Sequence, residues 1–425
     1  MDRDGEIDER GPIKIGPGLR AAIVHYGEGA EPDEGHRSHR AGRLAALLAD
    51  AGVSVTRIVP SFRDWDGFQR PVEWTGTDGR EGRLVIIPTR SYTNTRGRDR
   101  AGSLLDFNRG VRRYLAANVG FDLVMAGFPP PGLLRGITAA DPGAATIADI
   151  RDLWPDALLP EGSIGRFLGP VATLAGRALA RELNRADAVV ALSATMLRRA
   201  PSGAARTEVI PIGFEPSTEE DRKLWPTDPA PMSACYVGSM NQLFDLDAML
   251  RGWLAYVEHR QSVGPSPVLT VVGDGDQRPL VDSLVGSEPT VHLAGWVPGN
   301  EVGAHLHAAD FGLTPTRTGH GTTISNKVSE YLAAGMYVLN TLNPEVGRPL
   351  EERGLGHRFE SEPAAWAAAF ERSEKRLSQI RADRAERLAE GDRQYGAGPT
   401  NEAWLDLIGE VLTARRASSS TLSAG

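Results

Sequence analysis

The sequence predicts two doubly wound α/β domains facing each other across a cleft. Short apolar runs alternate with helical patterns, which argues for parallel sheets covered on both faces. The alternation stops at a stretch rich in Pro and acidic residues, 211–231, and then restarts. At 425 residues the chain is long enough for two separate cores. In such domains ligands bind outside the carboxyl ends of the strands, so the loops after each apolar run are the first places to look.

Residues 1–18, polar and then Gly/Pro-rich, read as a flexible tail. The first domain is expected over 19–210, with strands near 21–26, 53–59, 84–87, 123–126, 145–150, 188–192 and 208–210. Its helices fall near 38–50, 103–117, 164–185 and 194–200. Residues 211–231 read as a linker, and the second domain is expected over 232–398. Its strands fall near 234–238, 268–272, 291–293, 311–313 and 337–340, and its helices near 245–259, 301–309, 326–334, 363–377 and 382–391. A last helix at 399–415 has room to fold back on the first domain, a placement the sequence leaves open. The Ser-rich stretch 416–425 reads as a second flexible tail.

The composition, 41% apolar and 24% charged, is that of a globular protein, and a formal net charge of -8 does not advertise a nucleic-acid partner. The single Cys235 sits in an apolar run, which excludes an intrachain disulfide and fits a reducing compartment. The beginning Met-Asp-Arg-Asp-Gly-Glu has no apolar signal segment, and no stretch approaches the roughly 18 continuous apolar residues of a membrane span. Cytoplasmic is therefore the default location. The Leu/Ala-rich helix at 163–183, with Arg166, Arg177 and Arg181, leaves peripheral contact with the inner membrane face open. The oligomeric state is not legible.

The most informative stretch is Asn326-Lys327-Val328-Ser329-Glu330-Tyr331-Leu332-Ala333-Ala334-Gly335, followed by the apolar run Met336-Tyr337-Val338-Leu339. It reads as a helix feeding a buried strand, with Ser325 or Asn326 capping the first N–H groups. A helix N-terminus offers oriented donors and partial positive charge to a phosphate, and Lys327 would reinforce it. Glu330, one turn on, can accept from a hydroxyl pair such as a ribose. The chemistry suggested is nucleotide-sugar binding. The same residues also fit an ordinary helix with two solvated charges.

Other loops are weaker signals. Gly238-Ser239-Met240-Asn241 follows the first strand of the second domain, where Ser239, Asn241 and backbone N–H groups can face a diphosphate. Gly273-Asp274-Gly275 follows a strand but lacks the full dinucleotide fingerprint, and is equally a surface turn. The segment from Thr314 through Arg317, His320, Thr322 and Thr323 leads into the Lys327 helix as an anion cradle. In the first domain, Arg37 and Arg40 stand in Gly35-His36-Arg37-Ser38-His39-Arg40, as acceptor-orienting groups or as a solvated basic turn. Arg151-Asp152-Leu153-Trp154-Pro155 closes a buried strand. There Asp152 can orient a hydroxyl and Trp154 wall an apolar pocket, or Arg151 and Asp152 simply pair. The loop from Tyr92 through Arg96 to Arg100 suits an anionic acceptor such as a lipid diphosphate. No set of His, Cys or carboxylates has the spacing of a closed metal site.

Together these pieces resemble a retaining glycosyltransferase of the GT-B fold, in the large GT4-like family, and within it the polysaccharide-type transferases acting on N-acetylated amino sugars. The likeness runs over about 20–395. Gly35 and the residues after it resemble the family's first-domain glycine loop, residues 88–107 its tyrosine–arginine segment, and Ile150 through Pro155 a subfamily motif. In the second domain Tyr236-Val237-Gly238, Val272-Gly273-Asp274-Gly275, Gly295-Trp296-Val297-Pro298 and Asn326 through Gly335 are similar to its donor landmarks. The resemblance implies backbone contacts from Trp296 and Val297 near the nucleobase, ribose binding by Glu330, and phosphate binding by the preceding backbone, which takes in Thr323, Ile324 and Ser325. Read from the residues alone, His320 either touches the transferred sugar or is an ordinary loop histidine. Three departures stand out: Thr322 where many members have a second glutamate, Asn241 in place of a small glycine, and Gly127-Phe128-Pro129-Pro130 without the usual histidine.

The implied activity is transfer from a nucleoside-diphosphate sugar, UDP-linked by expectation, to the hydroxyl of a small-molecule or lipid-linked acceptor in envelope polysaccharide or natural-product biosynthesis. No tightly bound cofactor is expected. Lys327 and Arg317 would stabilise the departing diphosphate, and Asp152 would orient sugar or acceptor. The alternatives are a non-catalytic nucleotide-sugar-binding protein of the same fold and a nucleotide-sugar epimerase; a dehydrogenase is opposed by the incomplete fingerprint.

Overall fold

The computed structural model describes residues 14–28, 40–63, 67–76, 78–79, 82–93, 98–128, 131–151, 169–200, 203–204, 206–260, 264–318 and 325–423. The described residues divide into two compact units, one holding those up to Ile210 together with Asn401 onward, the other holding those within Pro211–Thr400.

The first unit is built on a sheet of eight strands: β1 (Arg20–Val24), β2 (Ser54–Pro60), β3 (Asp78–Gly79), β4 (Gly82–Ile87), β5 (Leu123–Phe128), β6 (Ala145–Ile150), β7 (Ala188–Ala191) and β8 (Arg206–Val209). Their order is β3-β4-β2-β1-β5-β6-β7-β8, parallel except for the antiparallel β3–β4 edge. Helices α1 (Arg40–Asp50), α2 (Arg98–Ala117), α3 (Leu133–Ala140), α4 (Gly169–Leu183) and α5 (Ala194–Arg199) connect them. Strand β6, Ala-Thr-Ile-Ala-Asp-Ile, is buried at every position, as a central parallel strand covered on both faces must be.

The second unit has six strands, β9 (Ser233–Val237), β10 (Val268–Val272), β11 (Val291–Gly295), β12 (Phe311–Thr314), β13 (Tyr337–Asn340) and β14 (Gly356–Arg358). They are parallel throughout, in the order β11-β10-β9-β12-β13-β14. The order reverses between β9 and β12, and such a switch point leaves a crevice at the carboxyl ends of the strands. Its helices are α6 (Glu219–Arg222), α7 (Leu246–His259), α8 (Arg278–Val285), α9 (Gly299–His307), α10 (Asn326–Ala333), α11 (Pro344–Glu352), α12 (Pro363–Lys375), α13 (Leu377–Ala382) and α14 (Arg384–Tyr395). One sheet face is covered by the core around Trp253, Trp366 and Phe370, the other by that around Val328, Tyr331 and Met336.

The final helix, α15 (Ala397–Ser423), packs Trp404, Leu407, Ile408, Val411 and Leu412 into the first unit's core beside Ile23, Leu44 and Leu48. It runs past the expected start of a flexible tail at residue 416; Ser418 Oγ donates to the Ala414 carbonyl at 3.0 Å, a back-bond that keeps a serine inside a running helix. At the other end Ile15, within the expected tail, packs against the same core.

The elements absent from the sequence reading are short or carry misleading residues. Helix α8 is only eight residues long, and α11 carries Pro349 in its interior, the signature of a break rather than a helix. Strand β14, Gly-His-Arg, has no strand propensity of its own and exists by pairing with β13. The expected loop 92–100 is already helical from Arg98.

Candidate functional site

In the second unit three loops meet at the carboxyl ends of β9, β10 and β11. Gly238 N–H donates to Val272 O at 3.0 Å, Met240 N–H to Asp274 O at 2.8 Å, and Gly273 N–H to Gly295 O at 2.7 Å. The stack is tight enough that a Cβ on Gly273, whose φ is +127°, would run into the Gly238 carbonyl, and one on Gly275 would lie 2.9 Å from Met240 backbone. Glycine stands at both positions because the loop backbones touch, the reason a lone glycine pair after a strand is worth reading. Gln277, 3% exposed, holds the β9 loop from below, its amide donating to Asn241 O and, at 2.9 Å, to Phe244 O.

The β9 loop is also clasped to the segment after β12. Asp245 N–H donates to Pro315 O at 2.6 Å and Arg317 N–H to Leu243 O at 3.0 Å. The Arg317 guanidinium donates through Nε to Gln242 O at 3.0 Å and lies 3.4 Å from the Asp245 carboxylate. Arg317, read from the sequence as a stabiliser of the leaving group, is thus engaged in holding two loops together. Asn241 turns inward as well, donating to Ser239 Oγ at 2.9 Å and accepting from Leu243 N–H at 3.0 Å, so both side chains first satisfy their own loop.

Helix α10 enters this place with its N-terminus. Ser325 takes the cap position, but its side chain makes no capping bond, contrary to expectation, so the first-turn donors lack that partner. Lys327 is not a solvated charge. It is 8% exposed, and among the described residues its Nζ has no hydrogen-bond partner. The amine lies 3.4 Å from the centre of the Phe244 ring and 3.9 Å from that of Tyr236. It also lies 3.2 Å from the point a Gly238 Cβ would occupy, directly under the β9 loop. Two ring faces favour an ammonium by about 0.5–2 kcal/mol each, whereas taking an unpaired ammonium out of water costs several kcal/mol. Desolvation wins: burial holds the Lys327 amine well below the ordinary lysine range, with the half-buried Glu330 pulling weakly the other way.

The remaining donor-side candidates divide. Trp296 stands after β11 with 68% of its surface exposed, while Val297 packs against the core around Tyr331. Asn326 is exposed at the start of α10. His320, Thr323 and Ile324 lie outside the described residues, as does Thr322.

In the first unit the sequence-predicted acceptor residues prove partly structural. Arg40, 4% exposed, is neither a free phosphate ligand nor a solvated turn. Its guanidinium grips Asp149 through Nε at 2.9 and 3.0 Å and Nη2 at 2.9 Å, and stacks 4.9 Å over the Trp404 ring. Arg151 donates to Asp149 at 3.0 Å and to Glu28. Burial by itself raises the Asp149 carboxyl, and the charges of Arg40 and Arg151 more than reverse this, leaving it below the usual carboxylate range. Tyr92 is 8% exposed and tilted against Phe62 at 4.8 Å, with its hydroxyl 3.4 Å from that of Tyr26, so its ring belongs to the core. Gly35, His36, Arg37, Arg96, Asp152 and Trp154 lie outside the described residues.

Sequence reasoning missed Phe244, Gln277 and Asp245, and gave Tyr236 and Tyr331, quoted within the donor landmarks, no role of their own. Each is an ordinary core or loop residue by pattern, and only the meeting of loops distant along the chain gives it a place at the site. Among the described residues no group of His, Cys, Asp and Glu could hold a metal ion, and no helix is long and apolar enough to cross a membrane.

Two Rossmann-like α/β units with a polar, glycine-lined crevice at one switch point define the GT-B fold. Comparison with known proteins agrees. Residues 39–218 match the model of the family described as Glycosyltransferase Family 4. A sucrose-phosphate synthase from Thermosynechococcus elongatus is similar in structure with a TM-score of 0.69 at 17% identity, covering 93% of this chain and 100% of its own. WaaG, a glycosyltransferase involved in lipopolysaccharide biosynthesis, gives 0.65 at 16% identity over 92% of this chain and 99% of its own. HepE from Anabaena, solved in complex with UDP, gives 0.61 at 13% over 96% and 100%. No curated protein sequence matches. The likeness establishes the fold, and the nearest sequence signal is to glycosyltransferases broadly rather than to amino-sugar transferases.

Proposed function

We propose that the chain is a retaining glycosyltransferase that moves a sugar, with UDP-linked N-acetylhexosamine as the leading donor, to an acceptor hydroxyl in envelope polysaccharide or natural-product biosynthesis. The observation that carries this reading is Lys327, an amine desolvated under the Gly238 loop at a helix N-terminus, with no hydrogen-bond partner among the described residues. A buried, unpaired cation-former costs stability, and a diphosphate is the ligand that offsets it.

In this reading the first turn of α10, with Lys327 under the Gly238 loop, receives the diphosphate. Glu330 takes the ribose hydroxyls, and Trp296 and Val297 border the base. As the glycosidic bond breaks, negative charge builds on the departing phosphate, so donors aimed there stabilise the transition state more than the ground state. The same phosphate oxygen accepts the proton of the attacking hydroxyl, which delivers the sugar with retention and without a dedicated protein base. Asp152 orients sugar or acceptor; Arg317 supports the site through the loops it clasps. The acceptor is a small molecule or a lipid-linked one met at the inner face of the membrane, and the reaction is placed in the cytoplasm.

The test is calorimetric titration with UDP-, dTDP- and GDP-sugars, repeated for Lys327→Ala and Glu330→Ala. A saturable hit weakened by both substitutions supports the reading. Binding indifferent to both moves the donor elsewhere. Because Arg317, Ser239 and Asn241 are occupied within their own loops, a non-catalytic nucleotide-sugar-binding role is the second reading. Binding without transfer or donor hydrolysis across a broad acceptor set would favour it.

A further inference from the structure

We propose that the donor's diphosphate and a proton bind together at Lys327, with Phe244 and Tyr236 as positioning residues that hold the amine until the phosphate arrives. The inference rests on the donor reading above and adds to it a coupling between pH and nucleotide affinity.

The geometry comes from three parts of the chain. Helix α10 supplies the amine, strand β9 the Tyr236 ring at 3.9 Å, and the loop after β9 the Phe244 ring at 3.4 Å. The two rings sit edge to face, 6.0 Å apart at 74°, and Phe244 packs on the core that holds Tyr236. Tyr236 cannot turn away, because its hydroxyl donates to Ser239 O at 2.8 Å. The amine is therefore boxed by two rings and the Gly238 backbone, with no hydrogen-bond partner among the described residues. The titratable groups around it are few. Glu330 is the charged residue acting on it from its own helix. Tyr331 on α10 and Cys235 and Tyr236 on β9 are all held neutral, their proton affinities raised by burial. His320, in the segment leading into α10, lies outside the described residues.

The box stores a lysine that has little reason to be charged. A diphosphate at the helix N-terminus supplies the missing counter-charge and acceptor oxygens. The ε-amine then takes a proton from solvent, one N–H bond forms, and the resulting ammonium pairs with a phosphate oxygen. Departure of the nucleoside diphosphate returns the proton. The sign follows: the complex holds more protons than free protein plus nucleotide, so affinity weakens as pH rises. Below the proton affinity of the free amine the dependence vanishes, and above it affinity falls about tenfold per pH unit until the bound ammonium itself titrates.

The experiment titrates the full chain with UDP, dTDP and GDP at one mildly alkaline pH in phosphate and in Tris, buffers of very different ionisation enthalpy. The expected result is uptake of about one proton per nucleotide bound, abolished by Lys327→Met, reduced by Phe244→Leu, which lets water reach the amine, and restored by Phe244→Tyr. A purely structural Phe244 would change affinity without changing the proton count. Nucleotide binding with no buffer dependence overturns the coupling and leaves the donor reading standing. A second arm needs no nucleotide: the unfolding stability of the wild type relative to Lys327→Met is followed against pH. It is expected to rise toward the alkaline range, because the unfolded lysine holds its proton where the folded one has lost it; a flat difference overturns the proposal outright. A rising difference with no nucleotide bound overturns the donor reading and the coupling with it.

Discussion

The hydroxyl of Tyr331 accepts a hydrogen bond from the backbone N–H of Val237 at 3.0 Å. It donates in turn to Leu313 O, also at 3.0 Å. Strands β9 and β12 pair only at Phe311 with Ala234 and Gly312 with Cys235, so beyond that point a side-chain hydroxyl replaces the ladder. Gly312 has no side chain because the Tyr331 ring lies where its Cβ would be. The switch point is thus wedged open by a residue of the same helix that presents Lys327.

Removing that hydroxyl with Tyr331→Phe leaves a buried N–H and a buried carbonyl short of a partner. A loss of about 1–3 kcal/mol is expected in denaturant unfolding, with faster hydrogen exchange at the Val237 amide. An unchanged stability would show that the strands close up and pair directly.

Gly273→Ala should be worse than its size suggests. The new methyl meets the Gly238 carbonyl at a φ of +127°, so strain of about 1–3 kcal/mol is relieved only by moving the β9 loop. Weaker nucleotide binding should accompany the lost stability. Gly286→Ala is the control: at φ +54° with nothing within 4 Å of the added carbon, it carries backbone strain alone. Equal binding in the two variants would separate the glycine stack from the site.

Asp149, 2% exposed, is held by Arg40 and Arg151. Asp149→Ala strands guanidinium charge in the first unit, and a cost of about 3–5 kcal/mol is expected in thermal or denaturant unfolding. Because the folded carboxyl sits below its unfolded value, its contribution is complete above the unfolded pKa and disappears as pH falls through the folded one. The wild-type advantage over Asp149→Ala should therefore shrink only in acid.

Cys235 is fully buried, and desolvation, helped by Glu330, pushes its thiol up to about 12. Thiol reagents at neutral pH should label it at the rate of local or global opening. Fast labelling of the native protein would mean that β9 is far less protected than its burial implies.

How much was legible follows from what each feature depends on. The apolar runs that became β6, β10 and β13 are local, so strand existence and alternation could be read directly, and with them the two-unit α/β plan. The Lys327–Glu330 spacing on a helix before a buried strand was equally local. Short elements such as β14 and the Pro-bearing α11 were not legible, because pairing and packing override their weak or contrary propensities. The same holds for charge. Sequence distinguishes Arg40, Arg317 and Lys327 only as basic residues, and all three were candidates to meet an anion. Tertiary structure separated them: Arg40 has Asp149, Arg317 has Gln242 and Asp245, and Lys327 has two aromatic rings and, among the described residues, no acceptor. Whether a charge is spent or available is a matter of what the fold brings within about 3–4 Å of it, and those partners lie tens to hundreds of residues away along the chain.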